Sequence, residues 1–260
     1  MANYLDLEST ANPRVKAWAA LGKRSERDRT GTFLIEGTRE ALRARDLLDV
    51  VEVIVCPEYA SEDVFLPSAT TVSSKVFDKI SRRQHPDGVA LVARRPDHRL
   101  ASFSPPDPAL VLVGDAIEKP GNIGAIVRTC DSFAAGFIGS SLKTDLENPN
   151  VVRAAQGSLF SPPIATGNRT ESIAWCTANT QVIVAHPDEG GRSLWDVDLT
   201  GPTSIVIGAE HEGVDASWLE AGEHVSIPVT GAADSLNASV TAAVFLAEAL
   251  RQRSQPSTTP

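Results

Sequence analysis

Short runs of almost uniformly apolar residues alternate along the chain with longer segments in which apolar residues recur every three or four positions. The first pattern is typical of buried strands and the second of amphipathic helices. In the first part of the chain they predict a helix over 12–29, a strand at 33–37, a helix over 38–48, a strand at 51–56, a helix about 76–82 and a strand at 88–94.

The pattern restarts after a proline-bearing stretch at 94–108. It predicts strands at 109–114, 181–187, 203–210 and 225–229, an apolar segment at 136–140, and helices over 122–135, 148–159 and 236–251. Strands that are apolar throughout and alternate with helices indicate a parallel sheet covered on both faces. The fold class is therefore α/β.

The break in the pattern predicts two domains. The first covers residues 1–95, the linker 96–108, the second domain 109–253, and the polar end 254–260 is expected to be a disordered tail. In a parallel sheet of this kind, ligands bind beyond the carboxyl ends of the strands. The loops after Val113, Val184, Ile207 and Ile227 are thus the places to look for chemistry.

Charge separates the two parts of the chain. The formal net charge is −9, which argues against a nucleic-acid partner, yet residues 1–100 hold 16 Lys and Arg against 15 Asp and Glu, while residues 101–260 hold 8 against 18. Basic residues of the first part are candidate phosphate contacts, among them Arg24, Arg27, Arg82 and Arg83. A solvated helix face explains such runs more often than RNA binding does.

Several classes of protein are disfavoured by composition. No apolar run approaches the roughly 20 residues of a membrane span, and the amino terminus lacks the features of a secretory signal, so the cytoplasm is expected. Cys56, Cys130 and Cys176 are scattered and resemble buried small hydrophobic residues more than a disulfide framework. No histidine spacing suggests a metal site, and none is expected. GxGxxG and a complete Walker A loop are both absent.

Polar clusters follow three of the predicted strands, at 119–129 (KPGNIGAIVRT), 207–213 (IGAEHEG) and 227–243 (IPVTGAADSLNASVTAA). In this order they resemble the signature motifs of the SpoU/TrmH-type (SPOUT superfamily) RNA methyltransferases. The opening NPRVKAWAALGKRSERDRTGTFLIEG is similar to the start of the family's substrate-binding domain. The run GNIGAIVRT is most similar to the thiostrepton-resistance branch of the family, which methylates ribosomal RNA.

The resemblance implies a trefoil-knotted catalytic domain preceded by a smaller L30e/L7Ae-like α/β domain that binds RNA. It further implies a homodimer, S-adenosyl-L-methionine as cofactor, and methylation of a ribose 2′-hydroxyl in structured RNA, with 23S ribosomal RNA favoured. By position in the motifs, the cofactor would be held at Gly208, Ile227 and Leu236, and also at Ala185 at the end of the preceding strand. Ordinary strand-end packing is the alternative explanation for these residues.

Arg128 is the residue that the resemblance places at the catalytic position. A guanidinium, with a pKa above ~12, is a poor base, so we expect it to bind the RNA ribose or phosphate and to stabilise developing negative charge. Glu210 is the acid expected to orient it. A structural ion pair of Arg128 with Asp131 or Glu210 is the alternative.

The remaining candidate catalytic residues are Asn122, Ser235 and Asn237, whose side chains can hydrogen-bond around the reacting ribose or simply cap helices. Arg153 lies in a segment that resembles one near the family's cleft and is a candidate RNA or cofactor contact. Ala125 and Ala238 depart from residues common in the family, but both changes keep small side chains.

Other functions remain open at this point. The RNA substrate could be tRNA, although a separate amino-terminal domain favours ribosomal RNA. A non-catalytic RNA-binding or ribosome-assembly protein could keep the same fold, against which stand the intact polar residues of the motifs. A small-molecule methyltransferase is disfavoured by the basic residues of the first domain.

Overall fold

The computed structural model describes residues 6–61, 68–187, 191–210, 212–231 and 235–254. It contains two compact units, one formed by Met1–Pro96 with Asp145–Ser161 and the other by Asp97–Thr144 with Pro162–Pro260. The segment Asp145–Ser161 thus packs with the first unit although it lies inside the predicted second domain. The predicted domain bounds stay a prediction, and residues 255–260 of the predicted tail lie outside the described residues.

Helices and strands are numbered in chain order. The helices are α1 (Pro13–Ala20), α2 (Arg24–Thr30), α3 (Thr38–Arg45), α4 (Ser74–Ile80), α5 (Pro120–Ser132), α6 (Pro149–Ala155), α7 (Arg169–Asn179), α8 (Ala216–Ala221) and α9 (Ala238–Arg253). The strands are β1 (Thr32–Glu36), β2 (Val50–Val55), β3 (Thr70–Thr71), β4 (Val89–Arg94), β5 (Leu110–Asp115), β6 (Gly136–Ser140), β7 (Ile164–Gly167), β8 (Gln181–Ala185), β9 (Arg192–Ser193), β10 (Thr203–Ile207) and β11 (Glu223–Ser226).

The first unit is built on a four-stranded sheet in the order β1-β4-β2-β3. Strand β4 runs antiparallel to both β1 and β2, while β2 and β3 are parallel. Buried residues of α1 and α4, including Trp18 and Phe77, pack with sheet residues such as Ile54 in one hydrophobic cluster. The predicted strands at 33–37, 51–56 and 88–94 correspond to β1, β2 and β4.

The single helix predicted over 12–29 is wrong, because α1 ends at Ala20 and α2 begins at Arg24. A Cβ atom on Gly22 would lie 2.1 Å from a guanidinium nitrogen of Arg82, so this arginine packs where a side chain at 22 would stand. Lys23 is extended, which ends the helical geometry. The helical pattern of the sequence is therefore interrupted at Gly22 and Lys23.

A buried ion pair joins α2 to the segment Asp145–Ser161 within the first unit. The Arg27 side chain is 1% exposed, and its guanidinium donates to both carboxylate oxygens of Asp145 at 2.6 and 2.9 Å and to the carbonyl of Leu21 at 2.8 Å. Two residues after Asp145, the buried carboxylate of Glu147 pairs with Arg95 at 2.8 Å. Buried charges of this kind are stable only when they are paired and hydrogen-bonded.

The second unit is a seven-stranded parallel sheet in the order β7-β6-β5-β10-β8-β11-β9. Strands β5, β6 and β10 are buried along their whole length, as expected for a parallel sheet with both faces covered. The predicted α/β class with a parallel sheet is confirmed. Because all the strands point the same way, the loops after β5, β8, β10 and β11 emerge at one edge.

The sequence pattern differs from the structure at several elements of this unit. The strand predicted at 225–229 ends at Ser226, and Pro228, which has no amide hydrogen to donate, lies beyond it. The pattern does not predict β7, α7 or α8. Helix α7 nevertheless begins with a capping box, in which Asn168 and Glu171 each accept a backbone hydrogen bond from the other.

Two further expectations concern membranes and cysteines. Within the described residues no helix is long and apolar enough to cross a bilayer. Cys56, Cys130 and Cys176 are free and buried, as predicted. Burial raises the pKa of the Cys176 thiol to about 11, which keeps it protonated at neutral pH.

The buried ion pair of the first unit predicts unequal effects for two arginines of α2. Arg27→Ala leaves the carboxylate of Asp145 buried without its partner and should lower the free energy of unfolding by about 3–5 kcal/mol. Arg24→Ala is the matched control, because Arg24 is 61% exposed and lies 3.7 Å from Asp28; it should change stability by less than about 0.5 kcal/mol. Urea unfolding followed by circular dichroism measures both. Equal, small effects would contradict the assignment.

Candidate active site

A cavity of about 340 Å³ opens at the carboxyl edge of the parallel sheet, beyond β8, β10 and β11. We call it the strand-end cavity. Ala185, Gly208, Ile227 and Leu236, the residues predicted to hold the cofactor, all line it. Its walls also include Ile207, Val214, Val225, Val229 and Phe245, so apolar side chains surround a rim that carries Glu210, Glu212 and Ser235.

Glu210 connects the motif segments at this cavity. Its Oε1 atom accepts hydrogen bonds from the side-chain amides of Asn122, at 2.6 Å, and Asn237, at 2.7 Å. Its Oε2 atom is paired with the ammonium group of Lys119. These donors come from the start of α5 and from the cap of α9, so one carboxylate holds three separated parts of the sequence together.

The loop after β10 needs glycine at position 208. A Cβ atom there would lie 2.1 Å from the carbonyl oxygen of Gly213, well inside the distance that real Cβ atoms keep. The loop turns back on itself through the amide of Gly213, which donates to the carbonyl of Ala209 at 2.9 Å. Gly213 has a φ of 70°, in the left-handed region that favours glycine. This tight turn carries Glu210 to the cavity rim.

The two asparagines have different structural roles. Asn237 is the cap of α9, where its Oδ1 accepts from the backbone amide of Ser239 at 2.9 Å, and its amide nitrogen remains to donate to Glu210. The expectation that Asn122 caps α5 is wrong, because α5 begins at Pro120 and Lys119 is its cap residue. Asn122 lies within the first turn and its side chain is directed to Glu210.

Arg128 lies outside the strand-end cavity. It follows Asn122 by six positions on α5, which corresponds to about 9 Å along the helix axis. Its side chain is exposed to solvent. Among the predicted catalytic residues, the structure therefore brings Asn122, Glu210 and Asn237 into direct contact, adds Ser235 on the cavity wall, and sets Arg128 on the surface of the same unit.

The arginines predicted to contact RNA have three different placements in the first unit. Arg82, Arg83 and Arg153 line one small hollow in the first unit, although Arg153 is far from the other two in sequence. Arg24 is exposed on α2. Arg27 is buried in its pair with Asp145 and has no surface to offer a phosphate. Arg27 is therefore a structural ion-pair partner and not an RNA contact.

Some residues of the site were not singled out in the sequence. Lys119, which pairs with Glu210, comes directly before the Pro-Gly-Asn run. A lysine in a loop that follows a predicted strand is the sequence feature that could have indicated it. His186 lines the cavity and its ring lies 5.6 Å from that of His224. Among the described side chains, no group of three or more His, Cys, Asp or Glu is arranged to hold a metal ion.

Comparison with known proteins identifies two regions of the chain. Residues 109–247 match the SpoU rRNA Methylase family, and residues 12–91 match the MRM3-like substrate binding domain. The chain therefore belongs to the SpoU rRNA methylase family, which confirms the resemblance seen in the motifs.

Similar proteins span almost the whole chain. The 23S rRNA (guanosine(2553)-2′-O)-methyltransferase RlmP of Bacillus subtilis is 30% identical and the alignment covers 92% of this chain and 97% of RlmP. The 23S rRNA (uridine(2479)-2′-O)-methyltransferase of Streptomyces viridochromogenes is 31% identical, with 97% of this chain and 95% of that protein covered. The structure of an AdoMet-bound rRNA methyltransferase from Sinorhizobium meliloti is 30% identical, with a TM-score of 0.84 and coverage of 95% of this chain and 98% of that chain.

The close approach at Gly208 predicts that even one methyl group is harmful there. Gly208→Ala should displace the turn and destabilise the protein by roughly 1–3 kcal/mol, the usual range for overpacking. Gly201→Ala is the control, since a Cβ at Gly201 meets nothing within 4 Å; its effect should stay within about 0.5 kcal/mol. Thermal unfolding of both variants provides the test. A Gly208→Ala protein as stable as the control would mean that the turn is not tightly packed.

Proposed function

We propose that this protein is an S-adenosylmethionine-dependent RNA ribose 2′-O-methyltransferase that acts on 23S ribosomal RNA. The observation that carries the proposal is the strand-end cavity, which the second and third motif segments line and to which Glu210 joins the first through Asn122. The printed activities of the Bacillus and Streptomyces relatives, both 23S rRNA 2′-O-methyltransferases, support the substrate class.

The cavity fits the proposed cofactor in size and chemistry. A volume of about 340 Å³ lies within the usual range of small-molecule sites, at roughly 300–1,000 Å³. Ile227 and Leu236 offer apolar contact for an adenine ring, and backbone groups around Gly208 can donate and accept hydrogen bonds at its edge. The carboxylates of Glu210 and Glu212 on the rim suit a cation. The cofactor would supply an electrophilic methyl group on its sulfonium.

The chain's own residues would orient the ribose and accommodate the charge that develops on its oxygen. Arg128 is exposed and permanently cationic, so it is suited to bind a phosphate or ribose of the incoming RNA and to stabilise a developing alkoxide. Glu210 holds the amides of Asn122 and Asn237 in fixed positions beside the cavity. Ser235 and Asn237 would then offer hydrogen bonds near the reacting hydroxyl.

The first unit is the proposed RNA-binding part. Its match to a substrate-binding domain over residues 12–91 supports this role. Arg82, Arg83 and Arg153 gather at one hollow, and two of them, Arg82 and Arg153, are exposed. Arg24 adds a further exposed cation. Guanidinium groups bind phosphate oxygens in a bidentate manner, which makes such a cluster suited to a folded RNA backbone.

The proposed roles of the domains follow the predicted bounds, with residues 1–95 for RNA binding, 96–108 as linker and 109–253 for catalysis.

We also propose a homodimer that uses α9, because this helix leaves the large apolar side chains of Val240 and Leu250 exposed, at 46% and 44%. A cytoplasmic location follows from ribosomal RNA as the substrate.

The proposed reaction predicts a specific product. With labelled S-adenosylmethionine and unmodified 23S ribosomal RNA, the wild-type protein should place the label in an alkali-resistant 2′-O-methyl linkage. Arg128→Ala should reduce kcat/KM by at least about 100-fold, as expected when a group that stabilises transition-state charge is removed. Arg192→Ala is the control, since Arg192 is 54% exposed and pairs with Glu223 at the sheet edge.

Label transfer that persists in Arg128→Ala would contradict the role given to this arginine. If the wild type bound S-adenosylmethionine but methylated tRNA instead, the reaction would stand and the choice of RNA would be wrong. A wild-type protein without cofactor binding or label transfer would contradict the proposed function.

The arginine hollow predicts a salt-dependent contribution to RNA affinity. Arg82→Ala and Arg153→Ala should each weaken binding of a 23S fragment and each reduce the slope of log K against log salt concentration by about 1. Arg45→Ala serves as the control, because Arg45 is exposed and already paired with Asp46 at 2.9 Å. Filter binding over a salt series measures the slope. Equal slopes for the three variants would exclude a specific phosphate contact at the hollow.

A further inference from the structure

A second charged cluster lies in the parallel-sheet unit, apart from the Glu210 contacts. Arg169 is the first residue of α7, and its Nε donates to Asp115 Oδ1 at 3.1 Å while one terminal nitrogen donates to Oδ2 at 3.2 Å. The other terminal nitrogen lies 3.0 Å from an Asp215 carboxylate oxygen. One guanidinium thus bridges two carboxylates from distant parts of the chain.

The position of Arg169 is electrostatically unfavourable without these partners. The amino terminus of a helix carries partial positive charge, so a cation in the first turn is repelled. Asp115 is 1% exposed, and a buried carboxylate is tolerated only with compensating charge and hydrogen bonds. Arg169 supplies the charge, and the hydroxyl of Ser140 donates to Asp115 at 2.8 Å. The hydrogen bonds from Arg169 to Asp115 raise the pKa of the Arg169 guanidinium above its ordinary value.

Asp115 and Asp215 both lie at the ends of segments that form the candidate active site. Asp115 ends β5, and the chain then turns through Ala116, which has a φ of 52°, toward α5. Asp215 ends the loop that begins at Gly208, and it caps α8 by accepting from the amide of Ser217 at 3.0 Å. Asp115 thus precedes the segment of Lys119 and Asn122, and Asp215 follows the segment of Glu210, two of the three segments that meet at the cavity rim.

We infer that Arg169 is a positioning residue, which fixes the described residues of the loop after β10, 208–210 and 212–215, relative to the end of β5 by bridging Asp115 and Asp215. The inference rests on the proposed methyltransferase function. Arg169 does not itself line the cavity, but it interacts electrostatically with Glu212, which does, and it acts through the placement of the loop that carries Glu210. The Arg169–Asp215 contact is partly exposed, at 30% and 40%, so its loss should change the free energy of unfolding by only about 0–1 kcal/mol, and the expected effect is on activity.

Conservative variants separate an effect on the position of the loop from an effect on the stability of the fold. Asp215→Asn keeps the helix cap, since asparagine caps as well as aspartate, but removes the negative charge. Arg169→Lys keeps one positive charge but loses the planar fork that reaches two carboxylates. Each variant should lower kcat for methyl transfer by about tenfold with little change in the KM for RNA, since a displacement of 1 Å can cost up to about 100-fold.

The double variant tests whether the two residues act as one unit. Arg169→Lys with Asp215→Asn should be no slower than the slower single variant, because both changes break the same bridge. Arg192→Lys and Glu223→Gln form the control pair, whose side chains are 54% and 40% exposed, and they should leave kcat unchanged. Unaltered kcat in both single variants, or losses that multiply in the double variant, would overturn the inference.

Hydrogen–deuterium exchange gives a readout that does not need activity. In Arg169→Lys the amides of residues 208–210 and 212–215 should exchange faster, while those of β5 and β10 keep wild-type protection. Unchanged exchange of these loop amides would overturn the positioning role. If the wild type showed no methyl transfer at all, the proposed function would fail, and the exchange result would still decide whether the bridge holds this loop.

Discussion

The carboxylate of Glu210 is the contact on which the geometry of the candidate site depends. It accepts from Asn122 at the start of α5 and from Asn237 at the cap of α9, and it pairs with Lys119. Each donor lies at the start of a helix, and Asn237 also caps α9. An acid at this point converts three strand-end segments into a single rigid rim, because charged hydrogen bonds are shorter and stronger than neutral ones.

The parallel sheet explains why the rim and the cavity coincide. Strands β8, β10 and β11 end at the same edge, so the residues that follow them meet without any sequence proximity. Gly208 lets the loop after β10 close on Gly213, and β11 ends at Ser226, next to Ile227 on the cavity wall. Much of the site is therefore made from backbone and small or apolar side chains, and the polar chemistry is concentrated at Glu210 and its partners.

The local pattern of apolar and polar residues was sufficient to predict the elements that depend on interactions between neighbours in sequence. Uniformly apolar runs marked β5 and β10, and the motif residues marked the segments that line the cavity. Long-range contacts account for the errors. Arg27 looked like a surface cation because its partner Asp145 is 118 positions away, and the helix over 12–29 is broken where Arg82 packs against Gly22.

The same limitation applies to the bridging role of Arg169. Nothing in its own neighbourhood sets it apart from an ordinary residue of a helix start, since the adjacent capping box concerns Asn168 and Glu171. Its partners Asp115 and Asp215 come from two other segments, and only the folded sheet brings them within 3.1 Å of its guanidinium. Ion pairs that link distant segments cannot be read from a single sequence.

The most direct test of the central claim, that the strand-end cavity binds the cofactor, is a crystal structure of the full chain grown with S-adenosylmethionine. Density for the adenosyl group is expected between Ile227 and Leu236, against the backbone at Gly208, with Glu210 still hydrogen-bonded to Asn122 and Asn237. Density for the cofactor at any other place, with this cavity empty, would contradict it.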